Sequence, residues 1–386
     1  MMKRVLVWQW GRRGGGPRFG LNLAQAIARL PGREVMLSLS RRAEILTAPG
    51  FPHDAMTVWQ VETYGSLSGL VVRLLGAPVV IPRLLKKLRL WQPDLAICAM
   101  TGPIDLLIAC ALRCAGVPLV VVVHDALPHP GDGFPLQHTL QNILIRQAQG
   151  IVALTHHVAH QLREQVGMQE REIMVASLPP FDYPSMYGKS RAMPPVERPP
   201  GPVRLLMFGR LLSYKGLDLL LEALKRLSPT LEYECRIVGS GPDSSELRKL
   251  AALPHVAVEN RWVEEEEIAS LVGWADAMVL PYREASQSGV GAVAIAAGKQ
   301  VLATRVGGLA EQFAGLPGVT LCDVDVTALT SALEALIVAG PVAPKMQVRQ
   351  TDILWEKMAA TMLADVEKSR RRQEASQVEA VVTPFS

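Results

Sequence analysis

The sequence predicts an α/β protein of two Rossmann-like parallel-sheet domains facing each other across a cleft. Three observations predict it. Short apolar runs alternate with segments of helical apolar spacing, the pattern of a parallel sheet flanked by helices. A proline-dense stretch, residues 187–202, interrupts the alternation, which then restarts. The length of 386 residues, 49% apolar and 20% charged, suits two domains that each bury a core.

In the first half, strands are expected at residues 4–8, 35–38, 95–98, 119–123, 150–153 and 173–175. The run LVVVV at 119–123 is apolar on both faces, as in a strand covered on both sides. Between them, 19–29 and 105–115 carry apolar residues at helical spacing. After the proline-rich linker, strands are expected at 203–208, 233–238, 256–259, 277–280 and 300–304. Helices are expected at 217–227, 245–253, 265–274 and 290–297, with a further helix at 352–366 and a polar tail from 369 to 386. The expected division is therefore residues 1–195, 203–350 and a C-terminal helix and tail over 351–386.

Composition excludes several classes. The apolar fraction is too high, and the charge too balanced, for intrinsic disorder. Cys98, Cys110, Cys114, Cys235 and Cys322 are odd in number and contain no CxxC pair, so they read as reduced thiols of a cytoplasmic protein. The apolar run 5–10 is too short for a signal-peptide core, and the stretch 70–91 holds too many charges and prolines for a simple spanning helix. The net charge of +4 is unevenly divided: residues 1–195 hold 20 Lys+Arg against 12 Asp+Glu, and residues 196–386 hold 20 against 24. A basic first half favours an anionic partner there. Basic residues are nevertheless scattered and aromatics few, so nucleic acid is not expected.

Five segments can carry chemistry. GRRGGGPRFG at 11–20 follows the first strand, where glycine leaves backbone amides open to a phosphate or sugar. Its spacing fails the dinucleotide pattern, and no acid ends the next strand, which counts against an oxidoreductase. His124 and Asp125 emerge from the end of the strand 119–123, at the expected cleft. Arg210 and Lys215 flank a short loop before a helix, two cations fit to neutralise a diphosphate. IVGSGP at 237–242 places Gly239 and Gly241 in a turn near a nucleotide base. LPYREASQSG at 280–289 opens a helix, where Gln287, Ser288 and the amides of Ser288, Gly289 and Val290 can hold sugar or phosphate oxygens. No His/Glu spacing forms a metal motif, and DVD at 323–325 reads as a solvated turn.

The order FGRLLSYKG, IVGSGP, WVEEEEIASLVGWADAMVLPY and QSGVGAVAIAAGKQVLATRVGG, followed by Glu311, resembles the C-terminal half of glycosyltransferase family 4. The likeness is dense from Arg204 to Glu311 and looser through the glycine loop, His124 and Thr155. The resemblance implies a GT-B fold and a retaining transfer from a nucleotide-sugar donor, UDP- or GDP-linked, with no metal or cofactor required. Arg210 and Lys215 would bind the donor diphosphate, His124 would lie by the transferred sugar, and Gly14, Gly15 and Gly16 would approach donor and acceptor. The family usually carries two glutamates eight residues apart; here those positions are Ala285 and Val293, with Glu284 one residue from the first. The variant resembles bacterial polysaccharide-assembly members, which implies a glycan or lipid-linked acceptor and a cytoplasmic location, on the inner face of the plasma membrane if peripheral. A catalytically silent GT-B-like nucleotide-binding subunit is the alternative that the absent glutamates leave open.

One helix bears on the acceptor. Over 83–91, Leu84, Leu85, Leu88 and Trp91 share one face, and Arg83, Lys86 and Lys87 another. Such a helix rests either on an anionic membrane surface or, with its stripe inward, on the sheet.

Overall fold

The structure, a computed structural model, describes residues 2–48, 51–52, 56–131, 136–165, 167–181, 183, 201–341 and 348–382. The first domain comprises β1 (Arg4–Gln9), α1 (Gly15–Arg29), β2 (Glu34–Ser40), β3 (Thr57–Val61), α2 (Leu67–Leu75), α3 (Ala77–Trp91), β4 (Leu95–Cys98), α4 (Asp105–Ala115), β5 (Leu119–Val123), α5 (Gln137–Gln147), β6 (Gly150–Ala153), α6 (His156–Arg163) and β7 (Ile173–Val175). Its strands form one parallel sheet in the order β3-β2-β1-β4-β5-β6-β7.

The second domain comprises β8 (Val203–Phe208), α7 (Leu217–Arg226), β9 (Tyr233–Gly239), α8 (Ser245–Ala251), β10 (Val256–Asn260), α9 (Glu265–Trp274), β11 (Ala277–Leu280), α10 (Gly289–Ala296), β12 (Gln300–Thr304), α11 (Gly307–Gln312), β13 (Val319–Cys322) and α12 (Val326–Ala339). Its sheet is also parallel, in the order β10-β9-β8-β11-β12-β13. In each sheet the strand order reverses once, between β1 and β4 and between β8 and β11. Those are the crevices where open α/β sheets receive ligands. The chain is thus two Rossmann-like domains.

Several elements extend or alter the expectation. The edge strands β3 and β13 were not foreseen, because their half-exposed residues make no continuous apolar run. The first helix begins at Gly15, inside the glycine loop, with Pro17 in its first turn, where a missing amide costs nothing. The last helix, α13, spans Val348–Val382, so the segment read as a polar tail is helical to Val382. Its stripe of Trp355, Met358, Ala359, Met362, Leu363 and Val366, spaced by three and four, is buried against the first domain beside α1. The Trp355 indole N–H donates to the Pro180 carbonyl at 2.9 Å, and its ring packs against both Phe19 and Phe181. Of the proline-rich stretch 187–202, all but Gly201 and Pro202 lies outside the described residues.

The helix over 83–91 is the C-terminal part of α3, and its stripe faces inward: Val80, Leu84 and Leu88 are buried. Of the two readings of this stripe, the one that sets it on the sheet holds, with Leu85 and Trp91 partly buried against the same core. Asp325 does not sit idle in a turn: its Oδ1 accepts the Thr327 and Ala328 amides at 2.8 and 3.0 Å, capping α12. All five cysteines are free thiols, with Cys114 exposed.

The domains are closed on one another. Arg18 of α1 and Glu265, the first residue of α9, form a buried ion pair, with Arg18 Nε donating to Glu265 Oε1 at 2.9 Å and Nη2 to the same oxygen. Glu44 accepts the Glu265 amide at 2.6 Å, and the Arg18 guanidinium lies over the Tyr183 ring. Removing one partner of a buried pair strands the other charge, at about 3–5 kcal/mol, whereas replacing both by apolar groups can be neutral. Arg18→Met is therefore expected to lower stability more than the Arg18→Met/Glu265→Leu double variant. Urea unfolding checks this order; equal losses would mean that the ion pair does not hold the interface.

Candidate active site

The loops at the two sheet crevices meet across the closed cleft. After β1, Gly14 takes a left-handed φ of 80° and starts α1. A Cβ at Gly16 would lie 2.7 Å from Gln9 Nε2 and 3.0 Å from Met100 Sδ, so a larger residue there would have to displace the ends of those two side chains. Gly15 faces Phe181, and Arg13 stacks over Trp262 of the second domain at 5.4 Å.

His124 follows β5 and is buried. Its Nε2–H donates to the Ala99 carbonyl at 2.9 Å, which fixes the tautomer and leaves Nδ1 as an acceptor. Gln287, from the second domain, donates its Nε2–H to that Nδ1 at 3.4 Å. Burial holds the His124 pKa below the usual imidazole range, with the Ala99 contact and Asp125 opposing it, so the ring is neutral. Gln287 Oε1 is buried and without a hydrogen-bond partner among the described residues.

Next to it, Asp125 Oδ1 accepts from His129 Nε2 at 3.2 Å, and His129 Nδ1 lies 3.6 Å from Glu284 Oε2 across the cleft. The imidazole stacks on Tyr214, 4.5 Å between centroids and 15° between planes. Burial alone would lower the His129 pKa, but Asp125, and then Glu284, outweigh it and raise it. Burial likewise opposes ionisation of Asp125, yet the His129 contact holds its carboxyl below the usual range.

The second domain supplies the cations. Lys215 Nζ sits 3.7 Å from the Tyr282 ring centre and 4.9 Å from that of Tyr214, and burial depresses its pKa. Arg210 is exposed, with Nη2 donating to the Tyr214 hydroxyl at 3.4 Å. Gly216, at φ 72°, brings this loop against the next: a Cβ there would lie 1.8 Å from the Pro281 carbonyl oxygen.

The other predicted residues fall out differently. Gly239 and Gly241 serve loop packing, since Cβ atoms there would lie 1.6 Å from the Gly209 oxygen and 2.1 Å from the Leu211 oxygen. The Gly241 amide is moreover taken by Asn260 Oδ1 at 3.0 Å. The Ser288 hydroxyl caps α10 by accepting the Gly291 amide at 3.1 Å, and its own amide donates to Gln312 Oε1 at 2.7 Å. An anion at this helix start therefore has the Gly289 and Val290 amides, the first in the helix, which have no intrahelical acceptor. Glu284 is exposed and turned to His129, while Ala285 and Val293 are buried. Among the described residues, no group of three His, Cys, Asp or Glu could hold a metal ion.

Sequence reasoning missed the Asp125–His129 pair, Tyr214, Tyr282, Ser286 and Gln312. The spacing of four between Asp125 and His129 was the one available signal. Thr155 Oγ1 donates to the Ser286 carbonyl at 3.1 Å, and the His157 amide to Glu311 Oε1 at 3.2 Å, contacts between residues more than a hundred apart in the chain.

Because the folded His129 pKa is raised, its contribution to stability is complete below the unfolded value of about 6.5 and is lost as pH rises through the folded one. His129→Asn is thus expected to lower the melting temperature more at about pH 6 than at about pH 9. A pH-independent loss in thermal denaturation would contradict the charged pairing.

Residues 14–178 match the family model described as glycosyl transferase 4-like domain, and residues 202–338 that described as glycosyl transferases group 1. The 2-deoxystreptamine glucosyltransferase of Streptomyces kanamyceticus is 25% identical over 75% of this chain and 81% of its own. Glycogen synthase of Mycobacterium tuberculosis is 28% identical over 75% and 73%. Among solved structures, Anabaena Alr3699/HepE in complex with UDP matches at a TM-score of 0.59 and 18% identity, over 98% of this chain and all of that one. With both domains matched to glycosyltransferase models and both sheets Rossmann-like, the chain belongs to the GT-B glycosyltransferases of the family 4 kind.

Proposed function

We propose that this transferase moves a sugar from a nucleotide-diphosphate donor to a glycan or lipid-linked acceptor, with retention at the anomeric carbon. The observation that carries the reading is the meeting, in one closed cleft, of Lys215 and Arg210 with the neutral His124 and with Gln287. The donor would lie on the second domain, its diphosphate between the two cations and the Gly289 and Val290 amides. The bond from anomeric carbon to diphosphate oxygen breaks as the acceptor oxygen bonds to the same face, and the acceptor proton passes to the departing diphosphate. Lys215, desolvated against Tyr282, has most to gain from an arriving anion, and with Arg210 it would neutralise the leaving group without a metal. His124 Nδ1 would accept from a sugar hydroxyl in place of the Gln287 amide, so it positions the sugar and does not protonate it. The Gln287 oxygen, now unpartnered, would accept from the same sugar.

The missing glutamates at 285 and 293 leave sugar and ribose to Gln287, Glu284 and main-chain groups. The UDP in the Anabaena structure and the glucosyl transfer named for the Streptomyces relative favour a UDP-linked hexose. Synthesis of a bacterial surface polysaccharide or glycolipid, on the cytoplasmic side of the membrane, fits an acceptor held by the basic first domain. Among the described residues no single helix is long and apolar enough to cross a membrane; only the bent pair α2–α3 reaches that length and composition.

Lys215→Ala and Arg210→Ala are each expected to cut turnover about 100-fold or more, with circular dichroism unchanged. His124→Ala is expected to lose turnover while nucleotide still raises the melting temperature. A thermal-shift screen of UDP-, GDP- and ADP-sugars identifies the donor, since stabilisation grows with the logarithm of ligand concentration over Kd. Near-native rates in either cation variant would refute the diphosphate assignment.

A further inference from the structure

At the carboxyl ends of β1, β2 and β3 lies a cavity of about 640 Å³ lined by Arg12, Arg42, Arg73, Tyr64, Ser66 and Val72 among others. A cavity of this size admits a phosphorylated headgroup. Two guanidiniums converge on Gly65: a Cβ there would lie 3.1 Å from Arg12 Nη1 and 3.8 Å from Arg42 Nη1. Among the described residues neither is paired with a carboxylate. Glu62 also lines the cavity; its carboxylate is engaged by Arg41 at 3.0 Å, and its carbonyl accepts from Arg73 Nη2. Arg73 Nε is buried with no partner among the described residues. Ser66 caps α2, accepting the Gly69 amide at 3.1 Å, so the positive end of that helix also borders the cavity. Several guanidiniums gathered over a glycine, their forks matching phosphate oxygens, make an anion site.

The same helix carries an apolar surface that no described residue covers. Leu67 is 71% exposed, Val72 69% and Leu75 76%, and Val79 continues the patch beyond a bend of 73° between α2 and α3. Apolar patches of this kind mark interaction sites. Arg83, Lys86 and Arg89 are exposed on α3. Apolar side chains beside a basic helix face are complementary to an anionic bilayer, into which the first would dip while the second meet headgroups. Val72 belongs both to the apolar surface and to the cavity lining. Contact with a bilayer would therefore bring the cavity mouth to headgroup level.

We propose that α2 and α3 rest on an anionic bilayer and that the Arg12–Arg42–Arg73 cavity takes the phosphate of a lipid-phosphate-linked acceptor drawn from it. The proposal rests on the transferase reading above, in which the first domain holds the acceptor. Arg12 precedes Gly14–Gly16 in one loop, so the segment that would grip the acceptor phosphate is continuous with the one that borders the cleft.

The test is sedimentation of the full chain at low salt with vesicles of phosphatidylcholine alone, with phosphatidylglycerol, or with phosphatidic acid, whose phosphate is a monoester. Binding to both anionic vesicles is expected, strongest with phosphatidic acid. Leu67→Asp/Leu75→Asp should reduce binding to both about tenfold or more, and Arg12→Ala/Arg42→Ala should abolish the preference for phosphatidic acid. Wild-type protein that ignores every vesicle overturns the proposal, even if inorganic pyrophosphate raises its melting temperature, which would mark the cavity as a site for soluble phosphates. Equal binding by the aspartate variant and the wild type overturns it too. Nucleotide-dependent stabilisation is read in parallel: vesicle binding without any nucleotide shift would sink the donor reading and leave the bilayer contact standing.

Discussion

Closure of the cleft depends on one buried ion pair, Arg18 with Glu265. Glu44 supports the pair by accepting the Glu265 amide at 2.6 Å, and the neutral polar contacts across the cleft include Thr155 to Ser286 at 3.1 Å and His124 to Gln287 at 3.4 Å. Each of these neutral contacts is worth on the order of 1 kcal/mol at most. The ion pair differs in kind, because its formation is nearly balanced by desolvation while its mismatch is costly. It specifies one register of the two domains without fastening them strongly. A transferase that must admit two substrates and release two products has use for such an arrangement.

Within that register, two histidines five residues apart are driven in opposite directions. His124 has a carbonyl, an aromatic edge and no acid in hydrogen-bond contact, so its ring is neutral and fixed in one tautomer. His129 lies between Asp125 of its own domain and Glu284 of the other, and these acids, Asp125 foremost, raise its pKa against burial. Lys215 is also affected by closure, since it lies against Tyr214 and Tyr282 and near the Asp125 charge. The electrostatics of the site therefore belong to the assembled pair of domains and to neither alone.

What was legible in the sequence follows from what local patterns can carry. Strands such as LVVVV at 119–123 announce themselves by being apolar on both faces, and they end where His124, Arg210 and the 280–289 loop begin. Edge strands β3 and β13 do not, because solvent on one side dilutes the apolar run. The stripe on α13 was readable, but its partner was not: nothing local says that Trp355 returns to Phe19 and Phe181. The same distance hid Arg18–Glu265, separated by 247 positions. Gly239 and Gly241 were visible as a turn, but the close approach of the Gly209 and Leu211 carbonyls that requires glycine there was not. The basic stripe of α3 was visible, yet which apolar residues stay in water was settled only by folding, which buried Leu84 and Leu88 and left α2 bare.

The return of α13 has a mechanical consequence. The chain passes between the domains twice, once between Tyr183 and Gly201 and again between Pro341 and Val348, because its last helix packs on the domain where it began. Separation of the domains would part Glu265 from Arg18 and Gln287 from His124. The second domain is one contiguous stretch of chain, whereas the first cannot be excised as one without losing the helix that covers Phe19.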